Sequence, residues 1–185
     1  MPAAIRDARA SDLSAIAALY GREVAGGTAT FELEPPTVEE MARRLATVEA
    51  QGLPWLVAEV EGCFAGYAYL SPFRPRPAYR YAVEASIYVE PEVRGARVGR
   101  ALLGTLIERA RSRGLRHVVG AVSDSATSGA SIALHRALGF EPAGVYRQVG
   151  WKFDRWLDVT LMQLGLAPGG GPPGEPGLAL GDAPG

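Results

Sequence analysis

Glu84 opens the β-rich run Glu84-Ala85-Ser86-Ile87-Tyr88-Val89, which stops at Pro91. The short loop Arg94-Gly95-Ala96-Arg97-Val98-Gly99 follows, and then an amphipathic stretch headed by Arg100. A carboxylate on a strand can take a proton from a bound group, directly or through one water. A loop of backbone N–H groups at a helix start suits an anion, because those groups lack intrahelical partners and the helix dipole adds partial positive charge. Strand, anion loop and helix together point to a phosphate-bearing ligand. The loop matches neither the dinucleotide fingerprint GxGxxG nor the triphosphate loop GxxxxGK[ST].

Charge and composition narrow the chemistry further. The 185 residues carry a formal net charge of −1, which gives no reason to expect non-specific nucleic-acid binding. Between Arg94 and Arg116, seven arginines face one acid, Glu108. They form either a solvated helix face or, beside an anion loop, a steering field for a polyanion. One cysteine, Cys63, excludes an intramolecular disulfide and reads as a buried structural thiol, and two histidines make no rich metal site. No segment has the length of apolar sequence needed to cross a bilayer and the N-terminus has no leader-like run, so the expectation is a cytoplasmic protein.

The elements that must position these groups follow from periodicity and breakers. Ile5–Ala8 reads as a first strand, followed by a helix capped at Ser11 or Asp12 with Leu13, Ile16, Ala17 and Tyr20 on one face. After Gly26-Gly27 and an irregular Thr28–Leu33, Thr37 and Glu40 predict a capping box for a helix carrying Met41, Leu45 and Val48. Leu56–Val60 and Phe64–Leu70 form a hairpin turning at Glu61-Gly62, and Ser71–Arg80, with three prolines and three arginines, is a stiff loop. In the strand Val83–Val89, alternation puts Val83, Ala85, Ile87 and Val89 toward the core and Glu84, Ser86 and Tyr88 on the other face. A helix over Arg97–Ser112, a strand over Val118–Val122, a helix over Ser131–Leu138 and two late strands near Gly144–Phe153 and Asp158–Leu164 complete a mixed α/β domain, residues 1–167. Twelve of the eighteen residues from Pro168 to Gly185 are Gly or Pro, and that tail reads as disordered.

From Ile5 to Leu166 the chain resembles the GNAT superfamily of N-acetyltransferases, and within it the phosphinothricin and methionine sulfoximine acetyltransferases. The resemblance rests on TATFELEPPT (Thr28–Thr37), PWLVAEVEG (Pro54–Gly62), AYLSPFRPRPAYRYAVEASIYVEPEVRG (Ala68–Gly95), GRALLGTLIERARSRG (Gly99–Gly114), ASIALHRALGF (Ala130–Phe140) and VGWKFDRWLDV (Val149–Val159). It implies the acyl-CoA N-acyltransferase fold, a strongly bent mixed sheet flanked by helices. Its two central parallel strands, here Val83–Val89 and Val118–Val122, splay apart to admit acetyl-CoA.

The resemblance also implies roles. The cofactor would meet Tyr88, Val89, Arg94, Gly95, Arg97, Val98, Gly99, Arg100, Ser128 and Ser131. Arg97 stands where the family's loop has Gly; helix-like dihedrals that let it donate its N–H are the expectation, against a position that demands φ > 0, where arginine would be strained. Ser128 stands where Asn is frequent, and can cap the following helix. Glu84 corresponds to the base that prepares the amine, against the reading of a surface glutamate paired with Arg80. His135 corresponds to a residue that protonates the departing thiolate or relays a proton, against a structural helix histidine. Arg74 and Arg76 correspond to groups that address the acceptor's oxyanion, with Phe31 and Tyr79 shaping the pocket. Trp151 and Trp156 go to strand packing or a subunit interface. The resemblance implies a homodimer acting on a small amino-acid-like amine: L-phosphinothricin, L-methionine sulfoximine or methionine sulfone, another amino acid or small amine. A non-catalytic acyl-CoA-binding module is the alternative from another class.

Overall fold

A computed structural model describes residues 2–124 and 128–167. Among these residues seven strands form one sheet in the order β1-β2-β3-β4-β5-β7-β6: β1 Ala4–Asp7, β2 Trp55–Val60, β3 Cys63–Pro72, β4 Ala82–Val89, β5 His117–Ser123, β6 Glu141–Lys152 and β7 Arg155–Gly165. Every neighbouring pair is antiparallel except β4 with β5, which are joined through α3. The helices are α1 Leu13–Gly26, α2 Val38–Ala50, α3 Val98–Ser112 and α4 Gly129–Ala137. This is the α/β fold the resemblance implied. No helix among the described residues is long and apolar enough to cross a membrane.

Both faces of the sheet are covered, and β4 shows how. Gly99 of α3 sits over Val89, whereas Tyr20 of α1 packs edge-on against Tyr88, 5.2 Å between ring centroids. Successive strand residues point to opposite faces, so α1 and α3 lie on opposite sides. The α1 side is an aromatic layer: Tyr88 stacks on Tyr67 at 5.0 Å, and Trp55 stacks on Tyr69 at 4.4 Å. Such contacts are worth about 0.5–1.5 kcal/mol each beyond area burial. The α3 side is aliphatic, with Val98, Leu102, Leu103, Leu106 and Ala110 essentially buried.

Local signals held with instructive exceptions. Tyr88 is buried in the aromatic layer although alternation puts it on the face away from the core, because α1 covers that side of the strand as well. The Thr37 cap is half a capping box: Thr37 Oγ1 accepts from the Glu40 amide at 3.2 Å, but the Glu40 carboxylate turns to Arg43 and Arg44. Charged guanidinium donors compete better for a carboxylate than one neutral amide does. Cys63 is exposed rather than buried, since it begins β3 at the tip of the β2–β3 hairpin. Helix α4 begins at Gly129, two residues earlier than expected, and Ser128 occupies its N-cap position without a side-chain cap bond. The Pro168–Gly185 tail lies outside the described residues.

Gly66 holds β3 against β4. Its register follows a bulge in the β2–β3 pairing, its φ is +149°, and an added Cβ would lie 2.4 Å from the Tyr88 carbonyl oxygen. Gly66→Ala is expected to cost about 2 kcal/mol or more, a fall of roughly 4–8 °C in Tm by scanning calorimetry. An unchanged Tm would show that the two strands can part here without cost.

Candidate active site

The parallel strands β4 and β5 pair only from Ala82↔His117 to Ala85↔Gly120. Beyond that point β4 stays bonded to β3 through Val89, and β5 stays bonded to β7 through Ser123. The gap-facing backbone of Ser86–Val89 and Ala121–Ser123 is left without a strand partner. Unpaired backbone groups at a sheet edge seek a donor or acceptor from elsewhere. A cavity of about 990 Å³ opens at this parting, bordered by β4 from Glu84 to Val89, the loop before α3, Gly27–Phe31, and Ser131 and His135 of α4.

At one end lies the anion loop. After a short 3₁₀ turn, Pro91–Val93, the chain passes through Gly95 (φ +84°) and Arg97 (φ +62°) into α3. Among the described residues the amides of Gly95, Arg97, Val98, Gly99 and Arg100 have no backbone acceptor, while Ala101 opens the helical ladder by donating to the Arg97 carbonyl at 3.0 Å. Arg97 is therefore the N-cap in the left-handed region, not the first helical residue with helix-like dihedrals. The turn must aim successive N–H groups inward before α3 starts, and a left-handed residue does this at a cost of roughly 1–2 kcal/mol when it is not glycine. Gly99 leaves space for close packing: an added Cβ would come within 3.2 Å of Leu134 on α4.

The loop's cations differ in state. Arg94 is held by Glu23 at 2.6 Å and donates to the Val89 carbonyl at 3.3 Å. Arg97 and Arg100 are exposed and form no ion pair among the described residues. Val89 and Ser131 border the cavity, as does Ser128. Tyr88 borders it too, but its ring is packed on Tyr67 and Tyr20, so its backbone is the part free to face a ligand.

Two titratable groups flank the gap. Glu84 is half-buried on β4; burial pushes its carboxyl above the ordinary value of 4.5, and the Arg74 charge partly opposes that rise. Arg80 does not pair with it: that guanidinium lies over the Tyr81 ring and donates to the Pro77 carbonyl. His135 is 4% exposed, and its Nδ1 lies 2.8 Å from the Ser131 carbonyl oxygen. A carbonyl only accepts, so Nδ1 carries the proton and Nε2 presents a lone pair. Nε2 is buried without a partner among the described residues, and burial lowers the imidazole's pKa below 6.5. The ring stands over Gly120, where an added Cβ would lie 2.4 Å from Nε2.

Of the residues expected to meet an acceptor, Phe31 borders the cavity. Arg74, Arg76 and Tyr79 stand exposed on the proline loop outside its lining, Arg76 heading the 3₁₀ turn Pro77–Tyr79 and Tyr79 packing edge-on against Phe73. Trp151 and Trp156 meet each other edge-on at 5.1 Å and remain more than half exposed. Sequence reasoning missed three residues: Glu23, which holds Arg94; Gly120, which admits the His135 ring; and Lys152, which reaches under the Gly27–Phe31 loop. One signal was available, since Lys152 is the sole lysine among eighteen arginines.

A parted parallel pair with an anion loop at one end defines a site for an extended ligand carrying phosphates. A family model for the acetyltransferase (GNAT) domain matches residues 5–161. The chain belongs to the GNAT superfamily, and its relatives place it in the phosphinothricin/methionine sulfoximine acetyltransferase family. It is 48% identical over 165 residues to a phosphinothricin N-acetyltransferase from Alcaligenes faecalis, covering 89% of this chain and 83% of the relative. It is 44% identical to an L-methionine sulfoximine/L-methionine sulfone acetyltransferase from Pseudomonas aeruginosa, covering 91% and 97%. The crystal structure of a GNAT superfamily phosphinothricin acetyltransferase from Sinorhizobium meliloti in complex with acetyl-CoA superposes with a TM-score of 0.91 at 45% identity, covering 96% of each chain.

The protein is thus an acetyl-CoA-dependent N-acetyltransferase acting on a small amino-acid-like substrate. Its residues fit the cofactor. The amides of Gly95 and Arg97–Arg100, without a backbone acceptor among the described residues, and the Arg97 and Arg100 guanidinium groups, without an ion pair there, suit a pyrophosphate; the gap-facing side of Ser86–Val89, which has no strand partner among the described residues, suits an amide-bearing arm. Replacing Arg97 by Gln is expected to raise the Kd for acetyl-CoA about tenfold or more while leaving acetyl-pantetheine within about twofold, by titration calorimetry. Equal losses for both ligands would detach this loop from the phosphates.

Proposed function

We propose that the enzyme acetylates the α-amine of L-phosphinothricin, L-methionine sulfoximine or L-methionine sulfone by direct attack in a ternary complex. The observation that carries this reading is Glu84, a half-buried carboxylate at the mouth of the strand gap with the Arg74 charge close enough to act on it. When bound, acetyl-CoA supplies an activated acyl carbon. Glu84 takes one proton from the acceptor's ammonium, directly or through a water, which frees the nitrogen lone pair for attack; the second amine proton, shed as the amide forms, would pass to His135 Nε2 and from there to the thiolate that leaves. His135 accepts and relays protons at Nε2; in its resting neutral form it has no proton there to give, so it is not a preformed acid. Arg74 and Arg76 would fork the acceptor's head-group oxygens, and Phe31 and Tyr79 would flank its side chain. Arginine suits paired oxygens because its planar donors match them two at a time.

Initial rates with acetyl-CoA across the three named acceptors and a panel of ordinary amino acids test the substrate class. The oxygen-bearing head groups are expected to exceed methionine in kcat/KM by about tenfold or more, and equal rates would remove head-group recognition from the reading. The role of Glu84 has its own signature. Glu84→Gln should lower kcat about 10²–10⁴-fold. Because the folded-state pKa is raised, the ionised carboxylate costs stability as pH climbs through and above 4.5, so the same substitution should raise Tm at pH 7. The low-pH limb of kcat/KM, where activity falls as Glu84 takes up a proton, should vanish with it. Unaltered kcat would take Glu84 out of the chemistry.

The assembly we infer is a homodimer through the outer strand. β6 ends the sheet and is exposed along nearly its whole length, and Val145, Tyr146, Val149, Trp151, Phe153 and Trp156 are all at least 45% exposed. A long edge strand with apolar side chains is a surface that folded proteins ordinarily cover. Multi-angle light scattering at micromolar concentration should report twice 19.5 kDa, and Trp151→Glu with Trp156→Glu should return it to the monomer. A monomeric parent protein would overturn this assembly.

A further inference from the structure

The Gly27–Phe31 segment forms a wall of the cavity that also holds Glu84, yet no regular secondary structure holds it in place. What fixes it comes from elsewhere in the chain. Lys152, the last residue of β6, is 4% exposed, and its ammonium lies 2.9 Å from the Gly27 carbonyl oxygen and 2.9 Å from that of Thr30, with the Glu23 carbonyl at 3.5 Å. Two residues earlier on the same strand, Gly150 receives the Phe31 ring, and an added Cβ there would lie 2.3 Å from a ring carbon. Ser123 Oγ donates to the Thr28 carbonyl, and the Tyr20 hydroxyl lies 2.8 Å from Thr30 Oγ1. The ammonium of the chain's one lysine thus bonds to carbonyls of this loop, and the ring that the loop presents borders the cavity.

We propose that Lys152 is a positioning residue for the acceptor, its ammonium bonded to the Gly27 and Thr30 carbonyls so that the Phe31 ring stays on Gly150 and faces the cavity that contains Glu84. A buried ammonium is retained only where several acceptors replace its hydration, and three carbonyls do so here. The charge also sits at the C-terminal end of α1, whose free carbonyls favour a cation. The Glu23 and Glu32 carboxylates act on it from α1 and from the loop after the wall, and the Phe153 ring lies 5.0 Å away. The proposal rests on the reading that this wall faces the amine acceptor rather than the phosphates, which lie with the loop before α3.

The test separates acceptor from cofactor. Lys152→Met keeps the side chain's length and removes the charge; it should raise the acceptor's KM about tenfold while the Kd for acetyl-CoA changes less than about twofold. Phe31→Ala should raise the same KM. In the double variant the two penalties should fall well short of multiplying, because both remove one wall. Gly150→Ala, which displaces the ring without touching Lys152, should reproduce the KM effect and guards against a Lys152 variant that fails to fold. Reductive methylation with ¹³C-formaldehyde adds a readout independent of activity, since the lysine signal can come only from Lys152. It should label slowly in the parent and faster in Phe31→Ala. Absence of turnover with every acceptor would defeat the substrate reading and leave this labelling arm decisive. Rapid labelling of the parent, equal losses in KM and cofactor Kd, or fully multiplying penalties would each overturn the assignment of Lys152.

Discussion

The parting of β4 from β5 after Ala85 and Gly120 is the constraint on which the site depends. Each strand is bonded to its other neighbour along the rest of its length, so neither can turn to recover the missing ladder. The sheet has in effect two well-paired halves joined by four residue pairs, and the backbone between them has no strand partner across the gap among the described residues. Orphaned N–H and C=O groups are costly when buried and inexpensive when a ligand satisfies them. The same parting therefore opens the cavity and supplies part of the affinity for what fills it. The glycines are placed accordingly: Gly66 lets β3 lie close beneath Tyr88, and Gly120 lets the His135 ring stand directly on β5.

Charge around the loop before α3 follows the same logic. A chain of formal charge −1 concentrates cations on one loop and helix, but Arg94 is already neutralised by Glu23. Arg97 and Arg100 form no ion pair among the described residues, and they stand beside a row of amides with no backbone acceptor there. The left-handed Arg97 shows what was given up for that arrangement, since glycine would adopt the same φ without strain. Arginine keeps the turn and adds a charge at the point where the amides converge, a trade characteristic of strained residues at binding sites.

The sequence made the fold legible where local rules act alone. Strand alternation, helix periodicity and breakers placed every strand and helix to within a few residues, because the apolar pattern that builds an element also determines what covers it. It failed where the answer depended on a distant partner. Alternation assigned Tyr88 to the face opposite the core, and only the docking of α1 makes that face a second core. Composition suggested a buried Cys63, and only its place at a hairpin tip exposes it. The helix-like reading of Arg97 followed from the amphipathic run after it, which says nothing about how the preceding turn must aim its amides. Lys152 was hidden because its partners are main-chain carbonyls more than a hundred residues earlier, and carbonyls have no sequence signature.

Burial acts on Glu84 and His135 in opposite directions that have one consequence. It raises the acid's pKa and lowers the base's, so both groups are held toward their neutral forms. An arriving cation changes the balance at one of them only. An acceptor ammonium beside Glu84 favours the carboxylate, as Arg74 already does, whereas nothing in an ammonium favours protonation of the imidazole. The acceptor would thus charge its own base on binding while His135 keeps an empty Nε2 ready for a proton. On the proposed reading the site needs neither a permanently ionised base nor a permanently charged acid, and two ordinary residues are tuned by the depth at which the parted strands and α4 hold them.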